Sequence, residues 1–446
     1  MTTRAPRGPT TGETIEAAWT WIGNQFESRM QIKIDADGSI ASVDPVDAGS
    51  DPPDRRLAHS ALLPGFVNAH SHAFQRGLRG HGEVGAVTAS DFWNWRDAMY
   101  RLVEELDESR FYELTLAAFR EMRSCGITTV GEFHYLHHRQ AHNDQRGDFD
   151  FDGRVLEAAA EAGIRLVLLQ AFYGRGGIGK ELSGAQNRFA TRSLDEYWRQ
   201  FEHLESCTDP ATQSLGVVAH SIRSASPEQI VELYTEARRR GLVFHIHLEE
   251  QKQEIEDSVL SYGMGPLALL NERLDTAAGL TAIHCTHSTP TDLARFAIHG
   301  GFVCVCPTTE ANLADGIPDL PAFLGSGGQV CLGTDSNLRI SMTEEMRWLE
   351  HAQRLRLEKR GIVGGSAEST ALVEAATRAG AQSLGIESGR IAAGAPADLV
   401  EINLDHPILA GWSPQTLLPS LVFGGGDEAV ISTCVAGNWR QHRRAV

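Results

Sequence analysis

Two histidines spaced by one residue, His70 and His72, close the stretch Leu62-Leu-Pro-Gly-Phe-Val-Asn-Ala-His-Ser-His72. Leu62, Leu63, Phe66 and Val67 form a short apolar run that predicts a buried strand. Residues two apart in a strand face the same side, so both imidazoles would converge on one spot. That is what a divalent metal needs of its first two ligands, whereas the bland alternative is a polar pair at a strand end facing water. Further on, Val243-Phe-His-Ile-His-Leu-Glu-Glu250 again puts two histidines on one face. His247, nearer the carboxyl end, is the better ligand, and His245 would lie a layer deeper as a polar core residue. Glu250 falls in the loop beyond, where it can handle protons above an activated water, or it simply opens a helix. Ala282-Ile-His-Cys-Thr-His287 offers His284 or His287, and the strand end favours His284. Leu332-Gly-Thr-Asp-Ser-Asn337 supplies Asp335, which can bind metal and accept the water's proton, or cap a helix.

Taken together, His70, His72, His247 and Asp335 give a three-nitrogen, one-oxygen set with a position left open for water, the pattern of a catalytic site for zinc or a similar divalent ion. Such an ion brings the pKa of a bound water toward ~7. The runs 165–170 and 216–220 carry no lysine to bridge a second metal, which favours a single ion. Zinc suits the nitrogen-rich set, though iron or manganese could occupy it.

These residues need a frame, and the chain supplies a rhythm. Apolar runs at 62–68, 128–133, 165–170, 216–220, 243–247, 281–284, 302–306 and 330–334 alternate with helix-length amphipathic segments. The helical segments include 101–123, 151–162, 227–240, 289–298 and 344–358. Strands alternating with helices imply a parallel sheet, and eight repeats predict a closed (β/α)8 barrel of the TIM type. In such barrels the chemistry sits at the carboxyl ends of the strands. Nearly every run here ends in a capable residue: His70 and His72, Glu132, His220, His247, His284 and Asp335. Residues 14–60 predict short β-structure followed by a linker at 47–56, and 389–402, 429–435 and 437–439 predict more strands. The expected division is a barrel over 62–388 and a small β-sandwich-like domain built from 1–61 and 389–446. Gly174-Arg-Gly-Gly-Ile-Gly-Lys180 mimics two nucleotide-binding patterns but lacks the helix, the acidic partner and the Ser or Thr they require. It reads instead as part of a loop, 173–200, that could close over the barrel mouth as a lid.

Composition narrows the partners. A net charge of −18 argues against nucleic acid and anionic membranes. No run of ~18 apolar residues occurs, so no membrane span is expected. The polar stretch Met1–Glu13 has no secretory core. Seven cysteines without regular spacing predict reduced thiols in a cytoplasm, with Cys304 and Cys306 as small apolar members of a buried strand.

The Pro-Gly-Phe-Val-Asn-Ala-His-Ser-His entry, the His-x-His-x-x-Glu strand, the Ile-His-Cys-Thr-His strand, the Thr-Asp-Ser strand and the closing Gly-Ala-Pro-Ala-Asp-Leu-Val resemble the amidohydrolase superfamily over nearly the whole length. Within it, His72-Ala-Phe-Gln-Arg-Gly-Leu-Arg-Gly80, Phe92-Trp-Asn-Trp-Arg96, Gly131-Glu-Phe-His-Tyr135 and Ala219-His-Ser-Ile-Arg223 resemble the formimidoylglutamate deiminase family. The resemblance implies a metal-dependent hydrolase that converts N-formimino-L-glutamate, a dianionic small molecule, to N-formyl-L-glutamate and ammonia in histidine breakdown. It places substrate contacts on Gln75, Arg96, Tyr135, His220 and Arg223, with the two arginines beside strand ends as clamps for the two carboxylates. It implies that Asp335 takes the water's proton, that His284 orients or relays, and that Glu250 donates to the imine nitrogen. Related enzymes are commonly dimers, and the aromatic residues at 92–95 could serve a pocket or an interface. The rival expectations are an aminohydrolase of a purine, pterin or triazine ring, and a barrel that has lost its chemistry and serves as a scaffold.

Overall fold

The computed structural model describes residues 12–81, 83, 91–140 and 149–442, and the side chains of 91–94 lie outside it. Most of the polar N-terminal stretch, and the side chains of Phe92 and Trp93, therefore lie outside the described residues. Four strands open the chain: β1 (Glu13–Ile22), β2 (Gln25–Ile34), β3 (Ile40–Pro45) and β4 (Arg55–Pro64). Eight follow in the predicted rhythm: β5 (Phe66–Ser71), β6 (Ile127–His134), β7 (Arg165–Phe172), β8 (Gln213–Ser221), β9 (Phe244–Leu248), β10 (Leu280–His284), β11 (Phe302–Val305) and β12 (Gln329–Leu332). β13 (Leu399–Asn403), β14 (Val430–Val435) and β15 (Asn438–Gln441) end it.

β5 to β12 pair in sequence order, each parallel to the next, because the segments between them run back along the outside as helices. Six of these helices matter to the site: α1 (Asp91–Glu105), α2 (Glu108–Ser124), α3 (Asp150–Ala162), α4 (Leu194–Cys207), α5 (Pro227–Arg240) and α6 (Lys252–Tyr262). The first and last strands meet through a single parallel bridge, Ser71 to Asp335. The barrel is thus closed at its mouth, where the candidate ligands stand. The other strands form one seven-stranded sheet in the order β15-β14-β13-β4-β1-β2-β3. A bridge from Ser39 to Pro396 folds its far edge back over Ile15, Ile32, Ile34, Leu62 and Leu399, which make a second small core. Among the described residues no helix is long and apolar enough to cross a membrane.

The structure departs from the sequence reading at a few places, each with a local cause. The run 62–68 divides at Gly65. Leu62 and Leu63 belong to β4 and pair with β13, and only Phe66 onward enters the barrel. A Cβ on Gly65 would fall 2.1 Å from Thr128 Oγ1, so only glycine lets the chain pass between the two sheets there. The segment 101–123 is two helices, α1 and α2, because the Asp107 side chain accepts from Arg110 N and starts the second afresh. The loop after β7 ends at Ser193, whose hydroxyl caps α4, so the last residues of 173–200 are helical. Asp335 caps nothing. The next helix starts at Met342 under Ser341.

Candidate active site

β5 ends at Ser71, and His72 follows in the turn that leads into a short 3-10 segment, yet the two imidazoles still converge. His70 Nε2 and His72 Nε2 lie 3.3 and 3.4 Å from Asp335 Oδ1. His247 Nε2, from β9, lies 3.2 Å from His70 Nε2 and 3.3 Å from His72 Nε2. These are not nitrogen-to-nitrogen hydrogen bonds. His72 Nδ1–H donates to Phe133 O at 2.8 Å and His247 Nδ1–H donates to His220 O at 2.9 Å. Each ring therefore spends its proton outward and turns a bare lone pair inward. Lone pairs and a carboxylate facing one another repel unless a cation stands between them. Ligands held by one ion with bonds of about 2.0–2.1 Å at near-tetrahedral angles are separated by about 3.3 Å, and the four separations match that edge. The donor set fits a divalent metal.

The neutral state that ligation needs is built in. Burial lowers the pKa of His70, takes that of His247 well below its ordinary value and that of His72 to about 3. A depressed base stays unprotonated to lower pH, so protons compete with the ion only below the usual histidine range. Metal content after dialysis at stepped pH is expected to hold through ~6.5. Release centred at 6.5 or above would contradict this.

His284 sits beside the cluster in another ionic state. Its Nδ1 is 3.3 Å from Glu310 Oε1, and its Nε2 is 3.8 Å from Asp335 Oδ2 and 3.9 Å from Glu250 Oε1. Burial alone would lower its pKa, but Glu250, Glu310 and Asp335 together push it up to about 10. The two oxygens of Asp335 are thus divided between the histidine cluster and the His284 cation. Burial would raise the Asp335 carboxyl; its contacts with His70, His284 and His72 hold it below the usual range. Burial raises the Glu250 carboxyl, against the pull of His284 and Arg223. Glu249, His284, Cys285, Asp335 and Asn337 all have φ between +45° and +73°. Left-handed backbone at non-glycine residues is strained and gathers at functional sites.

Above the cluster opens a pocket lined by His72, Gln75, Trp95, Arg96, Tyr100, Tyr135, Tyr173, Gln186, Phe189, His220 and Arg223. Gln75 Nε2 donates to the Tyr135 hydroxyl at 2.8 Å. His220, at the end of β8, packs edge-on against Tyr135 and Tyr173. Arg96 stands on α1, not beside a strand end, with its guanidinium 5.6 Å from the Tyr100 ring. The helix leans over the mouth and brings the cation in from the side. Arg223 follows β8, with Nε 3.1 Å from Glu254 Oε2 and Nη2 3.9 Å from Glu250 Oε2. The loop 173–200 contributes Tyr173, Gly176, Gln186 and Phe189 to this lining, and Gln186 Nε2 reaches Tyr100 OH and Gly176 O, both at 3.2 Å. His245 lies deeper, its Nε2–H donating to Ser383 O, and His287 lies outside the cluster.

Sequence reasoning missed several residues. Glu310 is one: it lies on the short helix just past the end of β11, a run that itself ends in no acid or histidine. Glu254 on α6 and the closing network at the seam are others. Asn68 Nδ2 donates to Thr334 Oγ1 at 2.7 Å and Asn68 Oδ1 accepts from Thr334 N at 3.0 Å. Thr334 Oγ1 donates to Asn337 Oδ1, and Asn337 Nδ2 to Ser71 Oγ. These bonds tie the first barrel strand to the Asp335 turn. Asn68→Leu removes two hydrogen bonds from Thr334, whose N–H keeps His70 O and whose hydroxyl keeps Asn337 Oδ1, at roughly 0.5–1.5 kcal/mol each. Urea unfolding is expected to show that loss together with weaker metal retention. A change under about 0.5 kcal/mol, the size of an ordinary surface substitution, would mean the seam does not depend on Asn68.

Residues 61–440 match the Amidohydrolase family model. Over 414 residues the chain is 37% identical to a formimidoylglutamate deiminase of Pseudomonas aeruginosa, spanning 92% of this chain and 90% of that one. Over 405 residues it is 30% identical to a 5-methylthioadenosine/S-adenosylhomocysteine deaminase of Natronomonas pharaonis, spanning 90% and 85%. Among solved structures, an amidohydrolase from Brucella melitensis superposes with a TM-score of 0.86 at 30% identity, over 97% of this chain and 96% of that one.

Proposed function

The chain belongs to the amidohydrolase family, and from that premise we propose that it hydrolyses N-formimino-L-glutamate to N-formyl-L-glutamate and ammonia, as a step of histidine breakdown in the cytoplasm. The observation that carries this reading is the pair of guanidiniums, Arg96 and Arg223, set around one pocket above the histidine–aspartate cluster. A substrate with two carboxylates needs a cation for each. The similarity to a protein named formimidoylglutamate deiminase supports it.

A divalent ion, zinc in our reading, would be held by His70, His72, His247 and Asp335 and would make water nucleophilic at neutral pH. The chain's own residues do the rest. Asp335 Oδ2, the oxygen turned away from His70 and His72, takes the proton of the attacking water. His284, charged and 3.8 Å from that oxygen, orients the water and stabilises negative charge on the former formimino carbon's oxygen. Glu250, whose carboxyl burial makes more basic, takes the remaining proton of that oxygen and gives it to the imine nitrogen. Asp335 then passes its proton to the same nitrogen, the C–N bond breaks as the C=O bond forms, and ammonia leaves. Gln75, Tyr135 and His220 hold the substrate by hydrogen bonds while Arg96 and Arg223 clamp its carboxylates. The partner is thus a dianionic small molecule, not nucleic acid or membrane, and a homodimer is the assembly we expect.

A second reading has support in the aromatic walls Trp95, Tyr100, Tyr173 and Phe189, which could stack a flat ring, and in the similarity to a deaminase of adenosine derivatives. One experiment separates the two. Purified protein given N-formimino-L-glutamate should release ammonia, stop when a chelator is added and recover with added metal. Ammonia from a purine or pterin, and none from formiminoglutamate, would replace the proposal with the ring reading.

A further inference from the structure

A second knot of histidines lies behind the pocket and takes no part in the chemistry above. Asp152, on the first turn of α3, is fully buried. Its Oδ1 accepts from His134 Nε2 at 2.8 Å and His137 Nδ1 at 2.9 Å. Its Oδ2 accepts from Gln200 Nε2 at 3.1 Å and Gln170 Nε2 at 3.3 Å. The donors come from β6, the segment after it, β7 and α4. The two histidines and the carboxylate are close enough together to ligate a cation.

We propose that this knot is held by protons, not by a metal, and that Asp152 is a positioning residue for the active site, acting through His134 and His137. Two observations separate proton from metal. The nitrogen–oxygen distances of 2.8 and 2.9 Å are those of charge-assisted hydrogen bonds, shorter than the 3.2–3.4 Å edges of the first cluster. His137 Nε2 also faces a carbonyl, that of Ala171, at 2.8 Å. Both nitrogens of that ring therefore point at acceptors, which an imidazole satisfies only with a proton on each. With four donors the Asp152 carboxylate has no lone pair left for an ion.

What the knot positions follows from the order of residues. His134 is clamped between Phe133, whose carbonyl fixes the His72 ring, and Tyr135, whose hydroxyl meets Gln75 in the pocket. His137 is clamped two residues beyond Tyr135. One carboxylate thus holds both ends of the segment that orients a candidate ligand and presents a candidate substrate contact. The Tyr135 half of this inference rests on the proposed function; the His72 half does not.

The test uses full-length protein loaded with zinc, wild type beside D152N. Metal per chain should be one in both. The chelator concentration that removes half of it should fall roughly tenfold in D152N, the low end for loss of an outer partner of a metal-bound histidine. KM for N-formimino-L-glutamate should rise roughly tenfold with kcat within about threefold, since Tyr135 serves binding and not the bond-breaking step. Two metals in wild type and one in D152N would overturn the proposal in favour of a second cation site. Unchanged chelator competition and KM in folded D152N would overturn it in favour of a purely structural strut. If wild type does not turn over formiminoglutamate, the proposed function fails and the chelator arm still decides this inference. If D152N does not fold, Q200M, which removes one donor at a half-buried position, takes its place, and no change in either reading would overturn the proposal.

Discussion

The Asp335→Asn protein is expected to lose roughly 10²–10⁴-fold in kcat on N-formimino-L-glutamate while keeping its fold, the range that a positioned proton acceptor contributes. The size of the loss follows from how the carboxylate is divided. Oδ1 faces His70 and His72, and Oδ2 faces His284. Asparagine leaves an oxygen for the first task and removes the basic site for the second. It also removes part of the charge that keeps His284 cationic, so the water would lose its acceptor and its polarising neighbour together. Metal content must be measured beside kcat, because Asp335 is also a candidate ligand. The comparison is made at full metal occupancy, with His284→Gln in parallel. A slow enzyme that has merely lost its ion would regain its rate as metal is added. If Asp335→Asn at full occupancy turns over within tenfold of wild type, the proton-accepting role is gone.

Why such a site can be read from a linear chain, and where the reading stops, is a matter of range. The convergence of His70, His72, His247 and Asp335 follows from two local rules. Alternate residues of a strand share a face, and a barrel brings the carboxyl ends of its strands to one rim. Periodicity supplies both, although His72 and Asp335 stand just past the ends of β5 and β12 and turns complete the convergence. The rim also contains Glu310, Glu254 and the Asn68–Thr334–Asn337 network, which no period marks, because each is placed by what it touches and not by its neighbours in sequence. Asn68 and Thr334 are 266 positions apart and meet only because the last strand returns to the first. The same limit explains the run 62–68. A hydrophobic count cannot see that Gly65 passes so close to Thr128 that the chain must change sheets there. Arg96 looked like a strand-end residue because its helix begins in the polar stretch after β5, and only the packing of α1 over the mouth shows where its charge arrives.

Arg223→Met should lower kcat/KM for N-formimino-L-glutamate by roughly 10- to 150-fold, the worth of a charge-assisted bond of about 1.5–3 kcal/mol. The side chain does more than wait for substrate. Its Nε lies 3.1 Å from Glu254, a buried carboxylate whose pKa burial raises to about 6 even with the guanidinium beside it. Removing Arg223 alone would strand that group, and the protein could lose stability for a reason unrelated to binding. The informative variant is therefore Arg223→Met with Glu254→Gln, compared with Glu254→Gln alone. In that comparison the charge of the buried partner is already gone, and what remains is the contribution of the guanidinium to substrate and to Glu250, whose carboxyl it also pulls down. Arg96→Met, on the other side of the pocket, should cost a similar factor. If each arginine holds a different carboxylate, an analogue with one carboxylate replaced by an amide should be indifferent to the loss of one arginine and sensitive to the loss of the other. A neutral flat ring, by contrast, gains nothing from either cation, so an enzyme built for such rings should keep its rate in both variants. Equal selectivity between formiminoglutamate and its monoamide in wild type and in both arginine variants would therefore sink the dianion reading, because the pocket would then recognise its substrate without using the only charges that distinguish it.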